Sequence, residues 1–137
     1  MLDILRLINP ATMEKPPGYT HIVEIKGNAR MVFFAGQLGV DTSGKFVGGP
    51  GDFKAQTVQA FENLRTALEA VGADFGQLVK INNYLVDIER NMAAFREVRD
   101  RYLVRAQLPA STTIGVPALA RPGGLFEIEA VAALPPE

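Results

Sequence analysis

Apolar residues recur along this chain with two different periods, and the points where the period changes mark the elements. From about Asp52 to Val71, Val58, Phe61, Leu64, Leu68 and Val71 return at spacings of three and four. That is the stripe of an amphipathic helix. Asp52 is placed to cap its start, and Gly72 stands where a left-handed residue closes a helix. A second helix, capped by Asn91, carries Phe95, Val98 and Tyr102 on one face and ends before Pro109. The other apolar runs have the strand period. They fall at about Tyr19 to Lys26, Arg30 to Ala35, Lys45 to Val47, Leu78 to Val86, Thr112 to Val116 and Leu125 to Ala132. Gly27-Asn28 and Asp41-Thr-Ser-Gly44 are turn sequences between them, and the first two strands are expected to form a hairpin.

The order β-β-β-α-β-α-β-β predicts an α+β fold: a mixed sheet of five to six strands with both helices packed on one face. The chain is expected to form a single domain over 1–137, with 1–18 as an extended N-terminal segment. Val32-Phe33-Phe34-Ala35 is apolar in both strand registers, so that strand needs cover on two faces. Two helices on one face leave the other bare. Self-association through the bare face is the simplest remedy.

Composition then narrows the chemistry. The 137 residues contain no cysteine and one histidine, with 14 Lys and Arg against 15 Asp and Glu. No cysteine removes thiolate nucleophiles, thiolate zinc sites and iron–sulfur clusters. A formal net charge of −1, with no basic run interleaved with aromatics, argues against nucleic acid as a partner. No stretch approaches the ~18 apolar residues of a spanning helix, and the first residues are too short and too charged for a signal peptide. The expectation is a cytoplasmic protein without membrane association.

Four segments in register carry a family resemblance: Phe34-Ala-Gly-Gln-Leu-Gly-Val-Asp41, Gln56-Thr-Val-Gln-Ala-Phe-Glu-Asn-Leu64, Pro109-Ala-Ser-Thr-Thr113 and Phe126-Glu-Ile-Glu-Ala-Val131. From about Tyr19 to Ala132 the chain resembles the Rid (YjgF) family, also described as L-PSP endoribonucleases. The resemblance implies a chorismate-mutase-like fold, a homotrimer, clefts at subunit interfaces that take a small-molecule ligand, and no cofactor. It further implies hydrolysis of reactive enamines or imines to a carbonyl compound and ammonia. Carried over by position, Tyr19, Gly36 and Glu127 match the family tyrosine, the pocket-floor glycine and the glutamate that holds water. The family arginine that grips a substrate carboxylate is absent, because Ser111 follows Pro109-Ala110. Thr113 stands at a position often occupied by cysteine, and Arg96 at one often occupied by asparagine. A serine offers one neutral donor in place of a forked cation. The anchor has therefore moved, or the substrate lacks the carboxylate, or the deaminase activity is gone. Arg96, ranked first, Arg105 and Arg121 are the candidates for a moved anchor.

Several other residues were open to a chemical or a structural reading. Glu127 and Glu129, two apart on a strand, share one face with Cα atoms about 6.6–6.8 Å apart. Glu127 is assigned to catalysis and Glu129 to structure. Ser111 and Thr113 likewise share a face and are assigned to substrate binding with Tyr19, Gly36 and Arg96. A nucleophilic serine would need His21, the single histidine, as its base, but it is far from Ser111 in sequence and there is no Gly-x-Ser-x-Gly elbow, so a Ser–His pair is not the expectation. Of Asn82 and Asn83, which interrupt an apolar strand, at least one is expected to find partners at an interface or in a channel, the plainer reading being an exposed edge. Gly48-Gly-Pro-Gly51 lacks the ending of a phosphate loop, and Asp87 with Glu89 is too sparse for a metal site, so no metal is expected. The functional expectation is a Rid-like protein that binds a small carbonyl- or imine-type metabolite between subunits and hydrolyses an enamine or imine with Glu127 positioning water. The alternative is a non-catalytic binding module with the same cleft. Endoribonuclease or translation-inhibitor activity comes third.

Overall fold

The structure, a computed structural model, describes residues 4–137. Six strands and two long helices follow one another as β1 (Leu5–Ile8), β2 (Ile22–Ile25), β3 (Arg30–Leu38), α1 (Phe53–Ala70), β4 (Leu78–Val86), α2 (Ile88–Tyr102), β5 (Ala110–Val116) and β6 (Phe126–Leu134). The main sheet has the order β3-β6-β4-β5, with β4 and β5 parallel and the other pairs antiparallel. This is the expected α+β arrangement, a mixed sheet with both helices on one face.

The details differ from expectation at three places. The expected hairpin between the first two strands does not form. β2 instead pairs antiparallel with β1, from Leu5↔Ile25 to Ile8↔Ile22, and makes a separate two-stranded ribbon, so the main sheet has four strands rather than the expected five to six. The segment 1–18, read as merely extended, therefore supplies a strand. Leu5 packs with Val79 and Ala133, so the ribbon caps one end of the sheet's helix-free face. The short strand expected at Lys45 to Val47 is reduced to a single bridge, Val40↔Phe46. Finally, α2 begins earlier than Asn91. Asp87 adopts a left-handed conformation at φ 53° and turns β4 directly into the helix. Asn91 then lies in the first turn, where its side-chain amide donates to Val86 O at 2.7 Å.

The core lies between the sheet and the helices. β6 alternates strictly: Phe126, Ile128, Ala130, Ala132 and Leu134 face the helices and are buried. Phe61 of α1 stacks on Phe126 at 5.9 Å and on Tyr102 at 5.0 Å, while Phe95 of α2 reaches Phe126 at 5.6 Å. Burying each such ring contributes about 1.5–3 kcal/mol. The ion pairs, by contrast, mostly join exposed side chains, and such pairs contribute about 0–1 kcal/mol. Packing, not surface charge, fixes the arrangement.

Helix α1 is held close to the sheet by polar contacts as well. Asp52 accepts from Ala55 N at 3.0 Å, as a cap should. Buried Gln56 donates to Gly123 O at 3.0 Å and accepts from Leu125 N at 2.8 Å. Asn63 donates to Leu38 O and Val40 O, each at 2.9 Å. The helix backbone comes so near β3 that a Cβ on Gly39 would lie 2.3 Å from Gln56 O. Together these contacts fix α1 against the β3 end and the β5–β6 connection.

Tyr102 donates to the Glu62 carboxylate at 2.6 Å. Burial, then that bond, pushes its phenol up to about 12 from an ordinary value of 10.0. A folded value raised above the unfolded one gives stability that is full below the unfolded value and is lost as pH rises through the folded one. Wild type is therefore expected to lose stability between about pH 10 and 12 relative to its pH 9 value. Tyr102→Phe should show a smaller loss over the same interval, read by urea unfolding at each pH.

Candidate functional site

The helix-free face of the sheet carries the carboxylates. Glu127 and Glu129 of β6 lie opposite Tyr84 and Asn82 of β4. Glu129 is bonded through one oxygen: the Tyr84 hydroxyl donates to its Oε1 in a short bond, and Asn82 donates to the same atom at 3.4 Å. That bond, with burial and the nearby Glu127 charge, raises the Tyr84 phenol above its usual value, so it remains a donor. Among the described residues, no such bond ties down Glu127. Its carboxylate instead lies over Gly36.

Gly36 sits in a bulge of β3, where Phe34 pairs with Ala130 but Gln37 with Ile128, leaving one extra residue on β3. A Cβ on Gly36 would meet Glu127 Oε2 at 1.9 Å and its Cδ at 2.8 Å. The glycine is needed here for space rather than for a positive φ. The structure thus brings together two residues assigned from sequence, one catalytic and one on the pocket floor. The two glutamates differ in their bonding, Glu129 being tied to β4 through Tyr84 and Asn82.

Ser111 and Thr113 lie elsewhere. They project from edge strand β5 on the helix-covered side, in register with Ile81 and Asn83 of β4. Asn83 is fully buried beneath them. Its amide nitrogen stands 3.1 Å from Ser111 Oγ, 3.1 Å from Thr113 Oγ1 and 3.3 Å from the Thr112 carbonyl oxygen. Its amide oxygen is buried without a partner. On the opposite side of the same strand, Lys80 Nζ donates to Thr112 Oγ1 at 2.9 Å. Within one chain, then, the Ser111–Thr113 pair and Glu127 occupy opposite faces of the sheet and do not converge.

Tyr19 lies on a third surface, continuous with the start of β5. Thr20 N donates to Pro109 O at 3.1 Å and Thr20 Oγ1 to Leu108 O at 2.5 Å, which ties the Pro-Pro-Gly-Tyr loop to the residues just before Ser111. Tyr19 packs edge-on against His21 at 5.4 Å, and the His21 ring is fixed to Glu14 O at 2.7 Å. His21 is thus a structural residue here. Tyr19, Lys15, Met13, Leu108 and Arg105 line a cleft of about 490 Å³.

The three arginines weighed as a moved anchor are dispersed. Arg105 is the one that lines the Tyr19 cleft. Arg96 is exposed on α2 and does not line it. Arg121 is committed to Gly44 O and lies over the Phe46 ring at 5.2 Å. The role of Asn83 was missed from sequence in its particulars, although an asparagine inside an apolar strand was the available signal. The Tyr84–Glu129 bond was missed too, since it joins residues 45 apart.

The fold and these surfaces define a two-helix, mixed-sheet α+β protein whose polar groups cluster at the sheet edge and on its uncovered face. A family model described as Endoribonuclease L-PSP matches residues 12–134, and the chain belongs to this family, the YjgF/Rid family. A crystal structure of a Rid-family protein of unknown function, YyfB from Yersinia pestis, is similar with a TM-score of 0.82 at 36% identity, covering 96% of this chain and 99% of that one. The 2-iminobutanoate/2-iminopropanoate deaminase of Capra hircus is 38% identical over 75% of this chain and 72% of its own length. The mitochondrial protein mmf2 of Schizosaccharomyces pombe is 35% identical over 92% of this chain and 95% of its own. Among the described residues, no helix is long and apolar enough to cross a membrane.

The close approach at Gly36 generates a test. Gly36→Ala forces only the far end of a flexible side chain to move, so unfolding free energy should change by about 1 kcal/mol or less. The Glu127 carboxylate should nonetheless be displaced. Thermal unfolding together with a crystal structure of the variant checks both outcomes.

Proposed function

We propose that the protein binds a small carbonyl- or imine-type metabolite in a cleft between subunits of a homotrimer and hydrolyses its C=N bond. Water adds to the electrophilic carbon, the C–N bond breaks, and a carbonyl compound and ammonia leave. Glu127 holds the water and accepts its proton as the C–O bond forms. The observation that carries this reading is the Glu127 carboxylate lying over Gly36 with no donor bound among the described residues, beside a Glu129 whose Oε1 takes bonds from Tyr84 and Asn82. A free carboxylate on a polar sheet face is available for water; a bonded one is not. The deaminase name of a relative at 38% identity supports the same chemistry.

The need for a partner subunit follows from two facts. Glu127 and the Ser111–Thr113 edge lie on opposite faces, so one ligand reaches both only if a second chain brings its own copy. The helix-free face also exposes Phe33 to 76%, with Met31 and Ile114 each at 44%. That much apolar surface calls for cover.

A second reading is favoured by one specific feature. Ser111 stands where a guanidinium would grip a carboxylate, so the cleft serves as a binding module without turnover. Ammonia release from imines generated in solution separates the two readings. The enzyme reading predicts release well above the uncatalysed rate, and a fall of at least a hundredfold in Glu127→Gln. Release at the uncatalysed rate with every imine tried, alongside ligand-induced thermal stabilisation, gives the binding module instead.

The assembly is tested separately. Wild type should sediment as a trimer at micromolar concentration, and Phe33→Lys should shift it toward monomer by placing a charge on the bare face. A wild-type monomer would remove both readings of a shared cleft.

A further inference from the structure

The amide of Asn83 decides which way the hydroxyls beside it point. A backbone carbonyl only accepts, so the side of the amide that faces Thr112 O at 3.3 Å is the NH2. The nitrogen's two hydrogens are shared among three oxygens, Thr112 O and, each 3.1 Å away, Ser111 Oγ and Thr113 Oγ1, and since this nitrogen is no acceptor neither hydroxyl donates its own proton to it. Among the described residues, neither hydroxyl donates to a protein acceptor. Both protons are left free on the half-buried edge strand, directed away from Asn83.

The arrangement carries a penalty that packing alone does not explain. Asn83 is fully buried and its amide oxygen has no partner. A leucine would fill the same volume among Ile81, Leu85 and Ile128 without burying an orphan acceptor. Among the described residues, no cationic side chain is bonded to Ser111 or Thr113, although Arg105 lines the neighbouring Tyr19 cleft and Arg99 packs against Gly18. Lys80 lies on the other face with Thr112. Arg99 of α2 lies over the Phe95 ring and bonds Asp100 at 3.0 Å.

We infer that Asn83 is a positioning residue that turns Ser111 and Thr113 into a pair of neutral O–H donors, and that the ligand group held at this edge is an uncharged carbonyl-type oxygen rather than a carboxylate. Two neutral donors satisfy a carbonyl oxygen well. They compensate poorly for stripping water from a full negative charge. This inference rests on the reading of the β5 edge as part of the ligand cleft, and it names the substrate class of that cleft.

The test uses pyruvamide and pyruvate, which differ in carrying an amide or a carboxylate at the same position. The full chain is titrated with each, and the amide resonances of residues 111–113 are followed by NMR. Wild type should bind pyruvamide at least tenfold more tightly than pyruvate. Asn83→Asp, which only accepts when ionised, should draw both protons inward and weaken pyruvamide at least tenfold. Ser111→Arg should reverse the preference toward pyruvate, a readout that a purely structural role for this edge would not give. Should Asn83→Asp fail to fold, the double variant Ser111→Ala, Thr113→Val should lose pyruvamide to the same degree. Tighter or equal binding of pyruvate by wild type overturns the inference and leaves the cleft reading standing. Unchanged pyruvamide binding in Asn83→Asp, or in the double variant, does the same. No response of residues 111–113 to either compound overturns both.

Discussion

β6 runs between β3 and β4, so every other element must accommodate the two faces that its alternation sets. Phe126, Ile128, Ala130, Ala132 and Leu134 face one way and are closed over by both helices. Once the helices are drawn to that face by aromatic packing on Phe126, nothing among the described residues covers the other except a short ribbon at one end. The residues between the apolar ones, Glu127 and Glu129, are thereby held on a rigid strand on the side away from the helices. A carboxylate placed this way needs no loop to position it. Its place follows from the strand period and from which neighbour has been buried.

Much of this was legible in the sequence because it depends on local period. The α1 stripe, its Asp52 cap and its closing Gly72, which has φ 74°, all concern residues within a few positions of each other. The opposed roles of the β6 residues were legible for the same reason. The failures involve pairing partners. Within Tyr19 to Lys26 a strand forms only at Ile22–Ile25, and its partner is Leu5–Ile8, a four-residue run too short to stand out from its surroundings. A turn dipeptide at Gly27-Asn28 pointed to β3 instead. The ribbon won because it buries Leu5 against Val79 and Ala133, and no local rule anticipates a contact across more than 120 positions. The early start of α2 has another cause. Asp87 tolerates the left-handed region better than most residues do, so the chain turns without the linker that a cap at Asn91 would have required.

The candidate site was legible one residue at a time and not as a constellation. Glu127 and Gly36 meet because β3 is bulged there, and a bulge is invisible to a reading that assumes uniform register. The hydroxyls of Ser111 and Thr113 were seen to share a face. What lies under them could not be seen, because Asn83 reaches that position only through the parallel pairing of β4 with β5.

The absence of a guanidinium beside Pro109-Ala110 looks different once Asn83 is placed. Replacing an arginine by a serine alone removes charge and leaves one weak donor with an unconstrained proton. A serine beside a buried amide nitrogen keeps a hydroxyl that cannot donate to that nitrogen, so its proton turns elsewhere. The same holds for Thr113. On the proposed reading, the edge keeps two hydroxyl donors while lacking a charge. Direction and charge are separable contributions to holding an oxygen: charge adds strength to anions, and fixed donors select geometry. A cleft built on the second alone suits ligands whose acceptor is neutral, and the orphaned Asn83 oxygen is the structural cost of that choice.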